Sequence, residues 1–430
     1  MIDMPAMTLL FGMHRREVST VLLFATMLIP TLVYQGAACR NALGAEIIVT
    51  PTCDVREEYN DNIFLSTSSR KSDFITTVAP GLGLSRNTER LQASLLGALS
   101  WYTYASNEGL GSLDYSYQGH SAYQLSPRDN VGLGGGYSQS SRPDSISPTT
   151  GLASSSGTKA YSLSTNAGRV LDEASSASAT YSYQRQEYDN PLLVGSITHN
   201  AGLGFSRDLS SLLPMLKGTV SASFFRAIYS NSTSDNYSLS IGAGRNINEK
   251  VAWSLSAGGN YTYSSFLASG KPSPASVSEN SDNWGWVGSA GLIYTGEKGH
   301  GSVSISRNVV AASGQVGVTE NTGVSLALGR IETKRFNWQL SAAYNINRSS
   351  NNQFASLGSV DRVSSLGAGA QYKLSDYFDL GVQYSYYDDN NRTSSTQTYQ
   401  NKVLLTLSSH GRFRLNGQNT LTNEVLHGTR

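Results

Sequence analysis

Asp114, Gln118, His120 and Gln124 fall at even spacings, so an extended chain carries all four on one face. A carboxylate, an imidazole and two amides in file can donate to and accept from a passing solute along one wall. The same four would equally suit a face that merely stays wet, and spacing does not separate the two. Asn260 holds a similar place among Ser254, Ser256, Gly258 and Thr262, and Arg412 and Arg414 share the polar face of the last patterned segment. Selection by charge needs rings of one sign. Asp114, Asp379, Arg412 and Arg414 are isolated or mixed, which predicts weak ion selectivity.

Other chemistry finds little footing. The six histidines are His14, His120, His199, His300, His410 and His427, and none stands at a zinc-ligand spacing. His199 shares an apolar face with Ala201 and Leu203. A membrane-embedded serine hydrolase would want a Ser, His and acid set there, but serines are so frequent that a match comes easily by chance. Gly132, Gly134, Gly135 and Gly136 lie in a strand pattern with no helix to follow, so they make no phosphate loop. The expectation is no enzyme, no metal and no cofactor. A formal charge of +1 without a basic stripe gives no footprint for nucleic acid.

The elements that must position these residues are strands. In 401–415, Val403, Leu405, Leu407, Ser409, Gly411, Phe413 and Leu415 form one face; Thr406, Ser408, His410, Arg412 and Arg414 form the other. The same period of two runs through 74–84, 91–103, 113–125, 251–263, 336–346 and 378–386. Aromatic pairs end the apolar faces, as in Tyr261 with Tyr263, Trp284 with Trp286 and Tyr384 with Tyr386, as interfacial girdles do. With 42 Gly, 24 Tyr and only 15% charged residues, the composition suits strands whose two faces meet different solvents.

Short charged turns recur at 87–90, 126–129, 171–174, 208–213, 246–250, 296–299, 332–335 and 374–377, with a longer connection expected between each pair. That rhythm predicts a transmembrane antiparallel up-and-down β-barrel of about 18 strands with both termini periplasmic, rather than a soluble sandwich. Val49 to Tyr59 contains Pro51, which lacks a ladder donor; if it does not span, the count falls to about 16. A bore this wide stays aqueous unless plugged. Loops 139–158 and 264–282 are long enough to fold inward or to stay outside.

The N-terminus reads as an export signal, residues 1–45: basic His14, Arg15 and Arg16, an apolar run from Val18 to Val33, and cleavage after Gly44 or Ala45. A start at Met13 would give a signal of ordinary length. An uncleaved anchor and lipidation of Cys39 are the alternatives. Residues 46–415 form the barrel and 416–430 a short polar periplasmic tail. Of the two cysteines only Cys53 survives cleavage, so no internal disulfide is possible.

The run VREEYNDNIFLSTSSRKSDFITTVAPGLGL, Val55 to Leu84, and the closing NKVLLTLSS together resemble the beta-barrel porin 2 family of outer-membrane barrels, some associated with the exosortase system. Tyr59-Asn60-Asp61-Asn62, Ser72-Asp73-Phe74 and Pro80-Gly81 carry most of the likeness. The chain departs from the family's usual terminal aromatic, since a tail follows Phe413 and Leu415. The resemblance implies an outer-membrane location and, as one option, passage of exopolysaccharide. The expectations are therefore an outer-membrane porin-like channel for passive passage of hydrophilic solutes, with polysaccharide export as a sharper version. A non-conducting structural or adhesive surface barrel is the alternative. Expected partners are outer-membrane lipid, the barrel assembly machinery through the C-terminal strand and, under the export version, polysaccharide-export components.

Overall fold

Period-two alternation leaves each strand with a wet face and an apolar face, and a barrel is the arrangement that separates them without leaving an edge. The computed structural model describes residues 47–147, 149–267, 278–349 and 360–415. The leader, the tail from 416 onward and residues 268–277 lie outside the described residues.

The strands are β1 (Ile47–Asn60), β2 (Asp73–Asn87), β3 (Leu91–Tyr104), β4 (Ser112–Gln124), β5 (Asp129–Ser140), β6 (Thr158–Val170), β7 (Ser175–Tyr188), β8 (Ser196–Asp208), β9 (Leu216–Ile228), β10 (Ser232–Asn246), β11 (Val251–Leu267), β12 (Ser278–Thr295), β13 (Gly299–Ala311), β14 (Val318–Ile331), β15 (Phe336–Arg348), β16 (Val360–Lys373), β17 (Phe378–Asn391) and β18 (Thr396–His410). Phe413–Leu415 continues β18 across a two-residue break, so the sheet is an antiparallel barrel of 18 strands. β18 closes it against β1, with Asn60 opposite Lys402 and Val49 opposite Phe413.

Two prolines leave their mark on this closure. Pro51 has no N–H to give, and β18 is interrupted at Gly411 and Arg412 beside it. The Gly411 N–H still donates to the Pro51 carbonyl at 3.0 Å, so one bond holds the break together. Pro80 likewise interrupts the β2–β3 ladder between Val78–Trp101 and Gly81–Ala98. β1 nevertheless spans, pairing with β2 over all of its 14 residues.

All eight short charged turns join strands where expected. The longer connections are less regular. β9 and β10 are joined by 229–231 alone, and β17 and β18 by 392–395, where the Asn391 side chain accepts from the Thr393 and Ser394 N–H groups. In both places the strands run further, so less chain remains for the loop. Of 264–282, expected as a loop, 264–267 belong to β11 and 278–282 to β12, and 268–277 lie outside the described residues.

The outward face is apolar: Leu203, Ile241, Leu255, Leu95 and Leu405 are all about half exposed or more. Among the described residues no helix is long and apolar enough to cross a membrane. The crossing is made by strands, whose backbone groups are satisfied by their neighbours in the ring. A closed barrel with an apolar outside and polar inside is an outer-membrane barrel, and that membrane is where the protein resides.

Candidate functional site

The inner wall falls into two arcs. From β6 to β11 the inward positions are almost all Ser, Thr, Asn, Gln and Gly; Asp208 and Lys217, opposite each other at the short-turn end, are the charged ones among the described residues. Their side chains bond across strands: Ser176 with Ser206, Ser221 with Ser240, Ser223 with Ser238 and Ser234 with Ser264, at 2.6–2.9 Å. The pattern continues further round, in Ser304 with Ser325 and Asn321 with Asn347. Each pair contributes on the order of 0.2–1 kcal/mol. More usefully, hydroxyls give the wall donors and acceptors without fixed charge. A recess of about 610 Å³ opens on this arc, lined in part by Ser176, Lys217, Ser221, Ser254 and Ser289. The opposite arc, from β16 round to β4, holds Asp361, Asp379, Lys402, Asp54, Arg56, Glu58, Asp73 and Asp114, a mixture of signs.

A loop crosses between the arcs. Residues 141–157 leave β5, form a small hairpin of Ser145–Ile146 with Ala153–Ser154, and return to β6. At the root, Ser141 donates its N–H to Asp114 at 2.9 Å. Arg142 then grips two carboxylates, Glu58 at 2.6 and 3.1 Å and Asp144 at 2.8 Å twice, with its guanidinium 5.5 Å from the Tyr102 ring. Asp144 also accepts from Lys402 at 2.5 Å and Asn60 at 2.9 Å. Gln400 backs the cluster by donating to Asn60 and to the Asn62 carbonyl. Two positive and two negative groups are thus withdrawn from water as a neutral set, the condition under which buried charge is tolerated.

Burial alone would raise the Asp144 carboxyl. Arg142 and Lys402 outweigh it and hold Asp144 well below the usual carboxylate range. Burial alone would lower the Arg142 guanidinium, and Asp144 and Glu58 outweigh it and raise it above its ordinary value.

The tip is held by neutral groups. Thr150 and Ser313 share a hydroxyl bond at 2.8 Å, Asn347 donates to the Thr150 carbonyl at 2.8 Å, and the Tyr387 hydroxyl donates to the Gly151 carbonyl at 2.9 Å. Leu65, Val363 and Tyr387 form a small buried cluster against Ile146, Leu152 and Ala153. The loop's root lies between β5 and β6 and Asn347, which holds its tip, stands on β15 across the ring, so the loop spans the bore nearly from wall to wall. Other connections lean in beside it. Ile63 packs with Ile75 and Tyr104, and the Val194 N–H donates to the Gly314 carbonyl.

The expected pore residues take different places. Gln118, His120 and Gln124 point inward and are exposed, facing a stretch of wall opened by Gly132, Gly134 and Gly136. Asp114 is 4% exposed and anchors the loop root. Asn260 is buried on β11, its amide directed at Thr262, which also accepts from Asn236 at 2.6 Å. Arg412 is exposed in the β18 break, and Arg414 sits opposite Ile48 at the short-turn end. His199 lies on the lipid-facing side, its Nδ1 2.9 Å from the Tyr181 hydroxyl and its ring edge-on to Tyr183. The residues that hold the crossing loop, Glu58, Arg142, Asp144 and Lys402, were not candidates in the sequence. Glu58 offered one signal, an even-numbered acid on the wet face of β1.

No protein-family model matches the chain, and no curated protein is similar to it. The family resemblance of Val55–Leu84 and the closing strand therefore rests on those residues alone. Among solved structures the chain is similar to Acinetobacter baumannii OccAB4, at 10% identity over 87% of this chain and 100% of that one, with a TM-score of 0.42. It is also similar to Pseudomonas aeruginosa OpdK with vanillate, at 6% over 85% and 98%, TM-score 0.44. A third is the alcaligin outer membrane receptor FauA from Bordetella pertussis, at 11% over 84% and 76%, TM-score 0.43. Likeness at this level decides nothing about what this chain binds.

Proposed function

We propose that the protein is a porin-like outer-membrane channel, narrowed by its own crossing loop, for small neutral solutes rich in hydroxyl groups. The observation that carries this reading is the arc from β6 to β11, whose charges are confined to Asp208 and Lys217 at the short-turn end and whose paired serines and amides can exchange hydrogen bonds with a hydrated sugar or polyol. The mixed signs on the other arc give no ring of one charge to sort ions. Liposome swelling tests it. Neutral sugars should enter faster than sugar acids or amino sugars of the same size, and a marked preference for either charged class would overturn the reading.

One observation favours a second reading, a non-conducting barrel sealed by its loops: Asn60, Gln400, Asn347 and Ile75 at the mouth are at most 2% exposed. On that reading the wild type gives no conductance in planar bilayers and removal of residues 143–155 creates it. Passage of a polysaccharide chain is the finer version of the channel reading, and no observation here supports it over passage of small solutes.

A further inference from the structure

The shortest ladder in the wall joins β12 to β13. β11 and β12 pair continuously from Val251–Tyr294 to Leu267–Ser278, and β13 and β14 from Gly299–Arg330 to Ala311–Val318. Between β12 and β13 pairing runs only from Thr295–His300 to Gly288–Arg307. Beyond that point β12 continues through Val287 to Ser278 with β11 on one edge and no strand on the other among the described residues.

The top of the β13–β14 hairpin has swung inward. Val309, Ala311 and Val318 join a buried cluster with Phe225, Ala227 and Tyr229 from the inner side and mouth of β9, and the Tyr229 hydroxyl bonds the Gly317 carbonyl. The wall is therefore parted above Gly288 and Arg307. Counted from the short turn at 296–298, a ladder of this length climbs about 20 Å along a tilted strand, less than the roughly 25 Å of an apolar band. The parting begins inside the outer leaflet.

Its two sides differ in chemistry. Trp284 and Trp286 stand on the lipid side, 76% and 60% exposed. At the foot, Arg307 lies 4.7 Å from the Trp286 ring and pairs with Glu320 at 2.6 Å, a neutral ionic sill. On the lumen side are Val287, Ser289, Ser306 and the exposed Asn308.

We propose that this parting is a side door between lumen and outer leaflet for amphiphiles, molecules with an apolar tail and a hydroxylated head. The tail would lie against the tryptophans and lipid while the head hydrogen-bonds the serine wall. The inference stands on the ladder and does not depend on what else the lumen conducts.

Two labelled variants in a Cys53→Ser background test it, with folding checked by heat-modifiable migration. Asn308→Cys and Ser304→Cys both place a thiol on the inner face of β13, above and below the end of the β12 ladder. With nitroxide labels in phosphatidylcholine bilayers, position 308 should collide freely with lipid-dissolved oxygen and position 304 should not. Equal shielding at both positions overturns the opening. A bulky maleimide at 308 should then slow entry of a pyrene-labelled dodecyl glucoside severalfold in cells while leaving neutral-sugar swelling unchanged. Unaltered entry of the glucoside overturns its use as a door.

Discussion

The cluster at the root of the crossing loop allows a direct test by Asp144→Asn. Asp144 is 2% exposed, between Arg142 at 15% and Lys402 at 21%. The amide keeps the shape and removes the charge, leaving Arg142 with Glu58 and Lys402 with no carboxylate in place of the one it lost. Removing one partner of a buried ionic set costs about 3–5 kcal/mol, because the charge left behind stays out of water. Taking the lower figure, about 3 kcal/mol, the ratio of docked to undocked loop falls roughly 150-fold. In planar bilayers the wild type should then show a small conductance and the variant frequent, long-lived openings of larger size. Limited proteolysis should cut within 143–155 in the variant first. An Asp388→Asn control, on the outer surface, should change neither readout. Conductance and cleavage identical to wild type in Asp144→Asn would refute the idea that this cluster latches the loop.

Acid should act on the same latch only late. The folded Asp144 carboxyl is depressed, so its contribution is fully present above the ordinary carboxylate value and fades as pH falls through the folded one. The difference in conductance between Asp144→Asn and wild type should stay flat from about pH 7 to about pH 4 and shrink only below about pH 3, and a difference that vanishes near neutrality would contradict that order. At the tip, Gly151 has φ +72° and an added Cβ would lie 3.2 Å from Val363, so Gly151→Ala should loosen docking by about 1–2 kcal/mol and raise open probability several-fold in single-channel records. Leu405→Lys places a charge on the lipid face at a cost of about 2–4 kcal/mol and should prevent heat-modifiable assembly, while Thr406→Lys, facing the lumen, should assemble. Equal tolerance at the two positions would overturn the facing of β18.

What the sequence made legible follows from the range of each signal. Alternation is local, so the facing of Leu405 against Thr406 and of Gln118 against Tyr117 could be read residue by residue. The short turns were visible because charge breaks the alternation. Loop lengths were overestimated at 229–231 and 392–395, since polar residues at strand ends look like loop. The latch was out of reach. Arg142 and Asp144 sit in a polar run that reads as an outside loop, and their partners Glu58 and Lys402 lie 84 and 258 residues away. Asp114 looked like a solute contact and proves to secure a backbone N–H. The parting of β12 from β13 left no trace either, because alternation fixes each strand's faces but says nothing of how far two neighbours stay zipped.

The distance in sequence between Asp144 and Lys402 has a consequence for biogenesis. The loop is made early, between β5 and β6, but its anchors Gln400 and Lys402 belong to the last strand, and Asn60 reaches its bond with Gln400 across 340 residues. A barrel short of its final hairpin can form most of its wall and offer the loop Glu58, Asp114, Ser313 and Asn347, yet it lacks Tyr387 at the tip and Gln400 and Lys402 at the root. The fully latched state thus becomes available only when the ring is complete, and a stalled assembly intermediate would leak more than the finished protein.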